Sequence, residues 1–317
     1  MNPASAIFGA GVAVRNALYD RHIFKTHKLS RPVVSIGNIS VGGTGKTPFV
    51  IALGELLKQR GIAFDILSRG YGRSSSGICV VDPNGFPAQF GDEPLLLARK
   101  LQVPVIVGAD RYQAGLLAEQ KFSSKLHLLD DGFQHRALHR DFDIVLLPQA
   151  DYSGTLLPAG RLREPISSLR RADVVALPDP LDYPLGARRI WQVRRQLELS
   201  DLELADSGGR LIAFCGIGRP KQFFDGLKAL GQPLADEVAF SDHHSYEQKD
   251  IDRLLALKKQ TGAEGFITTE KDAINLGAFT TRLQTLRIAA LSMELESAEQ
   301  AMAEMLEEIE QRSTCRF

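Results

Sequence analysis

An apolar, β-branched run leads directly into a glycine-rich turn at residues 33–50, VVSIGNISVGGTGKTPFV. Glycines in such a turn let successive backbone N–H groups converge on phosphate oxygens without a Cβ atom in the way. A lysine at its end reaches the β- and γ-phosphates of a nucleotide, and the hydroxyl group of the next residue binds Mg²⁺. The turn therefore predicts a nucleotide phosphate site formed by Ser40, Val41, Gly42, Gly43, Thr44, Gly45, Lys46 and Thr47, with Thr47 also a metal ligand.

One position departs from the usual pattern of such loops. The pattern G-x-x-x-x-G-K-[ST] places a glycine five residues before Gly45, where this chain has Ser40. We therefore expect the start of the turn to differ slightly from the common form. An ordinary glycine turn would explain the glycines, but not the pair Lys46-Thr47 at this spacing after a β-branched run.

Apolar runs alternate with helical patterns along the chain. They begin near residues 33, 64, 103, 126, 142 and 172, and again near 210, 236, 264 and 286, with helical stretches at 247–260 and 296–312. This alternation predicts an α/β fold with a mostly parallel, P-loop NTPase-like sheet flanked by helices, and a second, smaller α/β domain. Ligands of such sheets bind beyond the carboxyl ends of the strands, and each motif described below follows such an end.

The predicted organisation has four parts. Residues 1–30 form a basic N-terminal segment, 31–190 a P-loop domain, 191–206 a connector and 207–317 the smaller C-terminal domain. The connector is predicted from the proline-punctuated region 178–206.

Charge and cysteine content exclude several classes of protein. The 38 basic and 38 acidic residues give a net charge of +0, so no overall field favours nucleic acid. Cys79, Cys215 and Cys315 are odd in number and show no C-x-x-C pairing. They predict neither a disulfide framework nor a zinc site, and they favour a reducing cytosolic setting.

The N-terminal segment combines cations with apolar residues. Five cations, Arg15, Arg21, Lys25, Lys28 and Arg31, stand against one acid, Asp20. The segment lacks the features of a secretory signal, and it has no run near the ~20 apolar residues that a spanning helix needs. It is typical of a helix in a membrane interface, and the alternative is a helix packed on its own domain.

Two adjacent acids end the apolar run LHLLD at residues 126–130. Asp130 and Asp131 suit the carboxylate position that holds Mg²⁺ in P-loop enzymes, directly or through water. Neighbouring acids in a loop can also be plain solvated surface, but here they follow a buried strand downstream of a phosphate loop. We predict that at least one of them binds metal.

Candidates for proton transfer occur in both predicted domains. Asp92, in GDEP, begins a helix, where a carboxylate acts either as a cap or as a base for an attacking hydroxyl group. His243 and His244, in FSDHHSY, are structural or catalytic by pattern alone. An aspartate and a histidine from opposite halves would meet in a cleft. The motif TTEKD at 268–272 is compatible with a nucleotide contact or an internal ion pair.

Arginines cluster in two glycine-containing loops. Arg69 and Arg73 lie in LSRGYGRSSSG, and Arg161 and Arg163 lie in LLPAGRLREP. The planar guanidinium group matches phosphate, so these loops are candidates for gripping a phosphorylated substrate, although arginines on loops are often only solvated.

Taken in order, these motifs closely resemble the tetraacyldisaccharide 4′-kinase family of lipid A biosynthesis. The resemblance rests on GNISVGGTGKTP, LSRGYGR, GDEP, DDGFQH, LLPAGRLREP, FSDHHSY and TTEKDAINL, and it extends over nearly the whole chain. It implies transfer of the γ-phosphoryl group of ATP to the 4′-hydroxyl group of a tetraacyldisaccharide 1-phosphate. The implied location is peripheral, on the cytoplasmic face of the bacterial inner membrane.

The resemblance also implies roles for single residues. Lys46 and Thr47 would contact phosphate and Mg²⁺, with Asp130 or Asp131 as the second metal ligand. Asp92 would act as the base on the sugar hydroxyl group, aided by His243, so that Asp92, His243 and Lys46 form the predicted catalytic set. The predicted substrate-binding residues are Arg69, Arg73, Arg111, Arg161 and Arg163.

The expected cofactors are ATP and Mg²⁺, and the expected partner is a membrane-embedded lipid, with no nucleic acid and no obligate protein partner. An acylated substrate favours membrane association of residues 1–30. Two other classes are compatible with a phosphate loop: a regulatory ATPase and a kinase of a water-soluble metabolite. The absence of an N-K-x-D tetrad weakens the GTPase version of the first, and the basic, apolar N-terminus disfavours the second.

Overall fold

The computed structural model describes residues 2–179, 187–199 and 209–314. Within them the strands are β1 Val33–Asn38, β2 Phe64–Ser68, β3 Cys79–Val80, β4 Val105–Val107, β5 Leu126–Asp130, β6 Phe142–Leu146, β7 Val174–Leu177, β8 Ile190–Leu199, β9 Leu211–Cys215, β10 Leu234–Ala239, β11 Gly265–Thr269 and β12 Leu286–Leu295. The α-helices are α1 Pro3–Asp20, α2 Lys46–Gln59, α3 Pro87–Phe90, α4 Asp92–Leu101, α5 Arg111–Lys121, α6 Pro220–Ala229, α7 Gln248–Thr261, α8 Glu270–Leu276 and α9 Ala298–Thr314.

The described strands form one sheet in the order β10-β9-β11-β12-β8-β7-β6-β1-β5-β2-β4-β3. Pairing between neighbours is parallel except between β3 and β4 and between β8 and β12. Each apolar run singled out in the sequence lies in a strand, and the helices predicted near 247–260 and 296–312 are α7 and α9. The predicted α/β fold with a mostly parallel sheet is therefore confirmed.

Strand β8 lies where the sequence predicts a connector. Its first residues pair in parallel with β7, and Val193–Leu199 pair antiparallel with β12. Residues 191–199 of the predicted connector thus form a strand of the sheet; residues 200–206 lie outside the described ranges. We refer to β1–β7 with their helices as the first half and to β9–β12 with theirs as the second half.

The antiparallel pair β8–β12 reverses the strand direction between the halves. Strands β9–β12 therefore run opposite to β1, β2 and β4–β7. The sequence pattern could not predict this reversal, because the spacing of apolar residues shows which faces of a strand are buried but not the direction in which the strand runs.

Both faces of the sheet are covered, as expected for parallel strands. In the first half, Val34 and Ile36 pack against α2, α4 and α9, whereas Val33 packs against α5 from the other face. In the second half, Phe214 faces α7 and Ala213 faces α6. Alternate residues of one strand thus contribute to opposite cores, which places the strand ends at fixed positions.

The final helix α9 returns to the first half. Its buried Met302 and Met305 join the core that contains Phe142 and Trp191. Arg312 near its end forms an ion pair with Asp173, with 2.6 Å between Nη2 and Oδ1. The predicted division at residue 207 therefore assigns to the second domain a helix that packs on the first.

The N-terminal helix α1 lies on the first half through one face. Ser5 donates to the Leu156 carbonyl group at 2.9 Å, and Arg15 donates to the Gln134 carbonyl group at 2.6 Å. A Cβ atom on Gly9 would lie 2.8 Å from Cδ1 of Leu156, so the glycine permits close packing. None of the helices in the described ranges has the length and apolar character needed to cross a bilayer.

Candidate active site

One cavity of about 880 Å³ lies between the two halves of the molecule. The first half contributes the phosphate loop, defined as residues 40–47, and the residues that follow β2 and β5. The second half contributes the ends of β9, β10 and β11 and the middle of β12, and strand β8 adds Arg195 and Leu197. The charged residues at this cavity are Lys46, Arg69, Glu93, Asp130, Asp131, Arg163, Arg195, Arg219, Asp242, His243, Glu270 and Lys271.

The backbone of the phosphate loop requires glycine at two positions. Gly45 has a φ of +88°, and a Cβ atom there would lie 2.1 Å from Cε of Met293 on β12. Gly42 has a φ of +85°, and a Cβ atom there would lie 2.1 Å from Nη2 of Arg161. Both glycines are explained by the left-handed backbone, and each lies against the end of a neighbouring side chain.

Ser40, at the position where the common pattern has glycine, is fully buried. Its backbone forms an antiparallel bridge with Leu162, and the next residue, Val41, donates to the Arg161 carbonyl group at 2.8 Å. The start of the loop is therefore held by residues 161–163. This accounts structurally for the departure from the pattern.

Lys46 lies at the first turn of α2 and contacts the second acid of the pair after β5. Its Nζ is 3.4 Å from Oδ1 of Asp131, and Nη1 of Arg163 is 3.0 Å from Oδ2 of the same carboxylate. Partial burial would raise the pKa of Asp131, but Lys46 and Arg163 hold it below its usual value. Asp131 is thus an ionised carboxylate shared by two cations.

Asp130 is in a different environment, although it is the adjacent residue. It is buried, and its Oδ2 accepts a hydrogen bond from Ser68 at 3.0 Å, while no protein group reaches its buried Oδ1. Burial, followed by the charges of Glu93 and Asp131, raises the pKa of Asp130 to about 7. A buried carboxylate with only one hydrogen-bonded oxygen destabilises the folded protein, so a cation at Oδ1 would stabilise it.

Asp92 and His243 meet across the two halves. Nδ1 of His243 lies 2.8 Å from Oδ2 and 3.0 Å from Oδ1 of Asp92. Asp92 also accepts from the Glu93 backbone N–H at 2.8 Å and from Asn275 at 3.2 Å. The carboxylate therefore binds a backbone N–H group in the first turn of α4 and an imidazole at the same time, and its role as a base stays a prediction.

The charges around Asp92 keep it ionised. Burial would raise its pKa, but the hydrogen bond from His243 and the charge of Lys271 lower it from 3.8 to about 2. The hydrogen bond with Asp92 raises the pKa of His243 above 6.5, against the effects of burial and of Lys271. Asp92 itself is 5% exposed, and His243 is the member of the pair that lines the cavity.

The neighbouring histidine has another role. Nε2 of His244 lies 2.9 Å from Oδ2 of Asp250, which caps helix α7. Of the two histidines, His243 is the one that contacts Asp92, and its functional role stays a prediction.

A second ion pair links the halves beside the first. Nζ of Lys271 lies 2.9 Å from Oε1 of Glu93 and 4.0 Å from Oδ2 of Asp92. Partial burial would lower the pKa of Lys271, but the charges of Glu93 and Asp92 outweigh this and raise it. The sequence left open whether the TTEKD motif contacts a nucleotide or forms an internal ion pair, and in this structure Lys271 forms the ion pair at the edge of the cavity.

The five predicted substrate arginines separate into two groups. Arg69 and Arg163 line the cavity. The other three face the protein: Arg73 donates to Gly77 and Cys79 within its own loop, Arg111 is buried and donates to Ala109, and Arg161 donates to the Val41 carbonyl group. Only the first group is brought to the cavity, and the substrate-binding roles of all five stay predictions.

Three residues at or beside the site escaped the sequence analysis. Arg219 follows β9 in the glycine-containing stretch CGIGRP, so the strand-end signal that identified the other motifs applies to it as well. Arg195 lies within β8, where no local pattern marks it, and Asn275 lies within α8, inside the TTEKDAINL motif, but was not singled out. Their positions result from long-range packing.

Among the described residues, no group of three His, Cys, Asp or Glu side chains is arranged to hold a metal ion. Asp130 and Thr47 nevertheless lie at the same cavity as the phosphate loop. Two protein oxygens with nucleotide phosphates and water are a common ligand set for Mg²⁺, which rarely uses an all-protein cage.

Comparison with known proteins decides the family. The family model for tetraacyldisaccharide-1-P 4'-kinase, LpxK, matches residues 1–311 of this chain. The chain belongs to this family. The tetraacyldisaccharide 4'-kinase of Koribacter versatilis is 49% identical over 98% of this chain and 99% of its own length. That of Aquifex aeolicus is 40% identical over 87% of this chain and 89% of its own.

A solved structure of the family has the same fold. It is the crystal structure of the "apo" form of LpxK from Aquifex aeolicus in complex with ATP, with a TM-score of 0.80, 35% identity and coverage of 97% of each chain. The family, the class of ATP-dependent kinase and the reaction predicted from the sequence are confirmed by this membership.

Proposed function

We propose that this chain transfers the γ-phosphoryl group of ATP to the 4′-hydroxyl group of a tetraacyldisaccharide 1-phosphate at a bilayer surface, with the Asp92–His243 pair accepting the proton. The observation that carries the residue assignment is the contact of Nδ1 of His243 with Asp92 at 2.8 Å. His243 lines the same cavity as the phosphate loop, so a phosphate site and a proton acceptor face one space.

Phosphoryl transfer needs little covalent chemistry from the protein, so positioning and charge stabilisation dominate. Lys46 projects from the phosphate loop towards Asp131 and is the cation best placed for the β- and γ-phosphates. Asp131 supplies a negative charge that orients Lys46. Arg163 contacts the same carboxylate and adds positive charge at this side of the cavity.

The residues present fit a Mg²⁺ ion. Oδ1 of Asp130 is buried without a protein partner, and oxygen is the ligand type that Mg²⁺ prefers. Asp130 and the Thr47 hydroxyl group would hold the ion, whereas Asp131 is already engaged by two cations. When bound, Mg²⁺ neutralises charge on the phosphates.

Asp92 and His243 act as a unit on the proton of the 4′-hydroxyl group. Asp92 is the base that the family resemblance favours, and its pKa of about 2 makes it a weak base on its own. His243 is 22% exposed at the cavity and is hydrogen-bonded to both carboxylate oxygens. A proton that reaches the pair is therefore shared along this hydrogen bond, and Asn275 and Lys271 keep the carboxylate in place.

Arg69 and Arg163 are the cavity arginines that suit the phosphate group of the lipid substrate. Their planar forks match phosphate oxygens. Arg161 holds the phosphate loop through the Val41 carbonyl group, so its contribution to the substrate is indirect.

The outer face of α1 supports docking on a bilayer. Ile7 and Val14, seven residues apart, are 75% and 60% exposed, and Ile23 and Phe24 after the helix are exposed as well. The exposed cations Arg21, Lys25, Lys28 and Arg31 follow in the same segment. Exposed apolar side chains beside cations suit the interface of an anionic membrane. The inner face contacts Gln134 through Arg15, and Gln134 lines the cavity.

Product analysis tests the proposed function. The full-length protein is incubated with ATP, Mg²⁺ and a tetraacyldisaccharide 1-phosphate in mixed micelles, and the lipid product is identified by mass and by the position of the new phosphate. The expected product is the 4′-phosphorylated lipid together with ADP. ATP hydrolysis without a phosphorylated lipid would instead favour a regulatory ATPase, and transfer only to water-soluble sugars would favour a metabolite kinase.

A further inference from the structure

The phosphate loop is connected to the second half by a buried carboxylate that the reaction described above does not use. Asp151 ends a short 3₁₀ turn, Gln149–Asp151, and is buried. Its Oδ2 accepts a hydrogen bond from the hydroxyl group of Ser40, at the start of the loop. Its Oδ1 lies 3.1 Å from Nη2 of Arg219, which belongs to the second half.

Arg219 stands immediately beside the phosphate loop. It follows Gly218, where a Cβ atom would lie 2.9 Å from the backbone nitrogen of Gly43 and 3.1 Å from Cα of Gly42. Only a glycine permits this approach of two backbones. Both Gly218 and Arg219 line the cavity that the loop lines, so the guanidinium group is presented at the phosphate end of the cavity.

The guanidinium group retains donors for a ligand. Within the described ranges, the hydrogen bonds of Arg219 run from Nη2 to Asp151, at 3.1 and 3.4 Å. A guanidinium group has five N–H donors in a fixed fork, so anchoring one nitrogen orients the remaining donors. Arg195 lines the same wall; burial and then the charge of Arg219 lower its pKa, against the attraction of Asp179.

We propose that Arg219 binds a phosphate oxygen of the nucleotide from the second half, and that Asp151 is the residue that positions it. Asp151 joins this arginine to Ser40, so the orientation of the arginine and the start of the phosphate loop are set by one buried carboxylate. The inference rests on the proposed function in that it takes ATP as the occupant of the phosphate loop. The contact of Gly218 with Gly43 favours the nucleotide over the phosphate group of the lipid substrate.

The test measures the Kd of ATP and the KM of the lipid for Arg219→Gln, Arg219→Lys and Asp151→Asn in the full-length protein. Loss of one charge-assisted hydrogen bond weakens binding by about tenfold or more, so Arg219→Gln is expected to raise the Kd of ATP by at least that factor. The lipid KM at saturating ATP is expected to stay within about twofold. Arg219→Lys keeps the positive charge but loses the planar guanidinium group, so its Kd of ATP should lie between those of the native protein and Arg219→Gln.

Asp151 acts through Arg219, and its variant separates positioning from simple stabilisation. Asp151→Asn is expected to weaken ATP binding a few-fold in the native background and by clearly less in the Arg219→Gln background, where only its contact with Ser40 remains. If Asp151 has a purely structural role, Asp151→Asn should lower the melting temperature in both backgrounds and leave the Kd of ATP unchanged in the native background.

Two controls make the outcome decisive. Arg194→Gln removes a neighbouring, largely exposed arginine that pairs with Glu296, and it should leave the Kd of ATP unchanged. Lys46→Ala reports on the phosphate loop itself. If Lys46→Ala weakens ATP binding and Arg219→Gln does not, this inference is wrong while the proposed function stands; if neither does, the nucleotide site of the proposed function is wrong. A rise in lipid KM with an unchanged Kd of ATP in Arg219→Gln would also overturn the assignment to the nucleotide.

Discussion

Nδ1 of His243 lies 2.8 Å from Oδ2 of Asp92, although 151 positions separate the two residues in the chain and they belong to opposite halves of the molecule. The contact joins the end of β10 to the start of α4 at the edge of the cavity. The hydrogen bond joins a histidine of the second half to a carboxylate of the first half.

The first prediction concerns this pair as a catalytic unit. Asp92→Asn and His243→Ala are each expected to lower kcat by about 10²- to 10⁴-fold, with the Kd of ATP nearly unchanged, because neither side chain contacts the phosphate loop. The double variant should be little worse than the poorer single variant, since residues that act together are not additive. Steady-state kinetics and ATP binding on all three proteins provide the check. Multiplicative losses in the double variant would show that the two residues act independently.

The second prediction follows from the opposed pKa shifts of the pair. The lowered pKa of Asp92 gives stability that is present above 3.8 and lost as the pH falls through about 2. The raised pKa of His243 gives stability that is present below 6.5 and lost as the pH rises through its folded value. The stability difference between the native protein and His243→Gln should therefore be largest between pH 3.8 and 6.5, on the order of 1 to 2 kcal/mol.

Denaturant unfolding of the native protein and His243→Gln across this pH range measures that difference. In the Asp92→Asn background, the substitution of His243 should produce a much smaller pH dependence, because the partner charge is gone. A difference in unfolding free energy that does not change with pH would show that the ion pair does not contribute to stability.

The third prediction concerns the phosphate loop. Lys46→Ala and Thr47→Ala should each reduce kcat by roughly 10²- to 10³-fold, on the scale of one lost transition-state contact. Their effect on unfolding free energy should stay near or below about 1 kcal/mol for Lys46, whose ion pair with Asp131 is partly solvated. Lys58→Ala is the matched control, because Lys58 lies on the same helix and pairs only with the exposed Glu55. Near-native turnover in Lys46→Ala would exclude the loop from the reaction.

The fourth prediction separates Asp130 from an ordinary buried acid. Its half-partnered carboxylate lies near Glu93 and Asp131, so Asp130→Asn should raise the melting temperature of the metal-free protein. The same change should abolish the stabilisation that Mg²⁺ with ATP confers on the native protein, and it should abolish turnover. Calorimetry with and without Mg²⁺ measures both effects. Asp225→Asn removes an exposed charge on α6 and is the control; it should change neither the melting temperature nor the stabilisation by Mg²⁺ with ATP. If Asp130→Asn were still fully stabilised by Mg²⁺ with ATP, Asp130 would not be the metal ligand.

The fifth prediction concerns the outer face of α1. Ile7→Asp combined with Val14→Asp, and charge reversal at Arg21 and Lys25, should each weaken binding to vesicles that contain anionic lipid. Each interfacial cation contributes ~1 kcal/mol, so binding should also fall steeply with salt. Vesicle sedimentation provides the measurement, and turnover of a soluble short-chain substrate analogue should be unaffected.

Leu230→Asp is the matched control for this experiment, because Leu230 is 51% exposed and belongs to the second half. It should leave vesicle binding intact. Equal sedimentation of the α1 variants and the native protein would show that another surface meets the membrane.

Local pattern was sufficient for much of this protein. The glycine-rich turn after an apolar strand identified the phosphate loop, because the conformation of Gly42 and Gly45 and the reach of Lys46 are properties of a few consecutive residues. The alternation of apolar runs located the strands, because burial on both faces leaves its mark in each segment separately. The order of the short motifs along the chain indicated the family.

Long-range packing determined the rest. The reversal of strand direction at β8 and β12 and the return of α9 to the first half depend on pairings between distant segments, which no local pattern records. The same holds for the separation of Arg163, which faces the cavity, from Arg161, two residues earlier, which holds the phosphate loop.

The pairing of Asp92 with His243 and of Asp151 with Ser40 and Arg219 was likewise decided only by the tertiary structure. Each of these carboxylates is buried, and a buried charge is tolerated only where partners from other parts of the fold surround it. The sequence by itself thus determined which chemical groups the chain offers at its strand ends. The packing of the two halves determined which of them share one cavity, because the distances that define a site are set by the whole sheet.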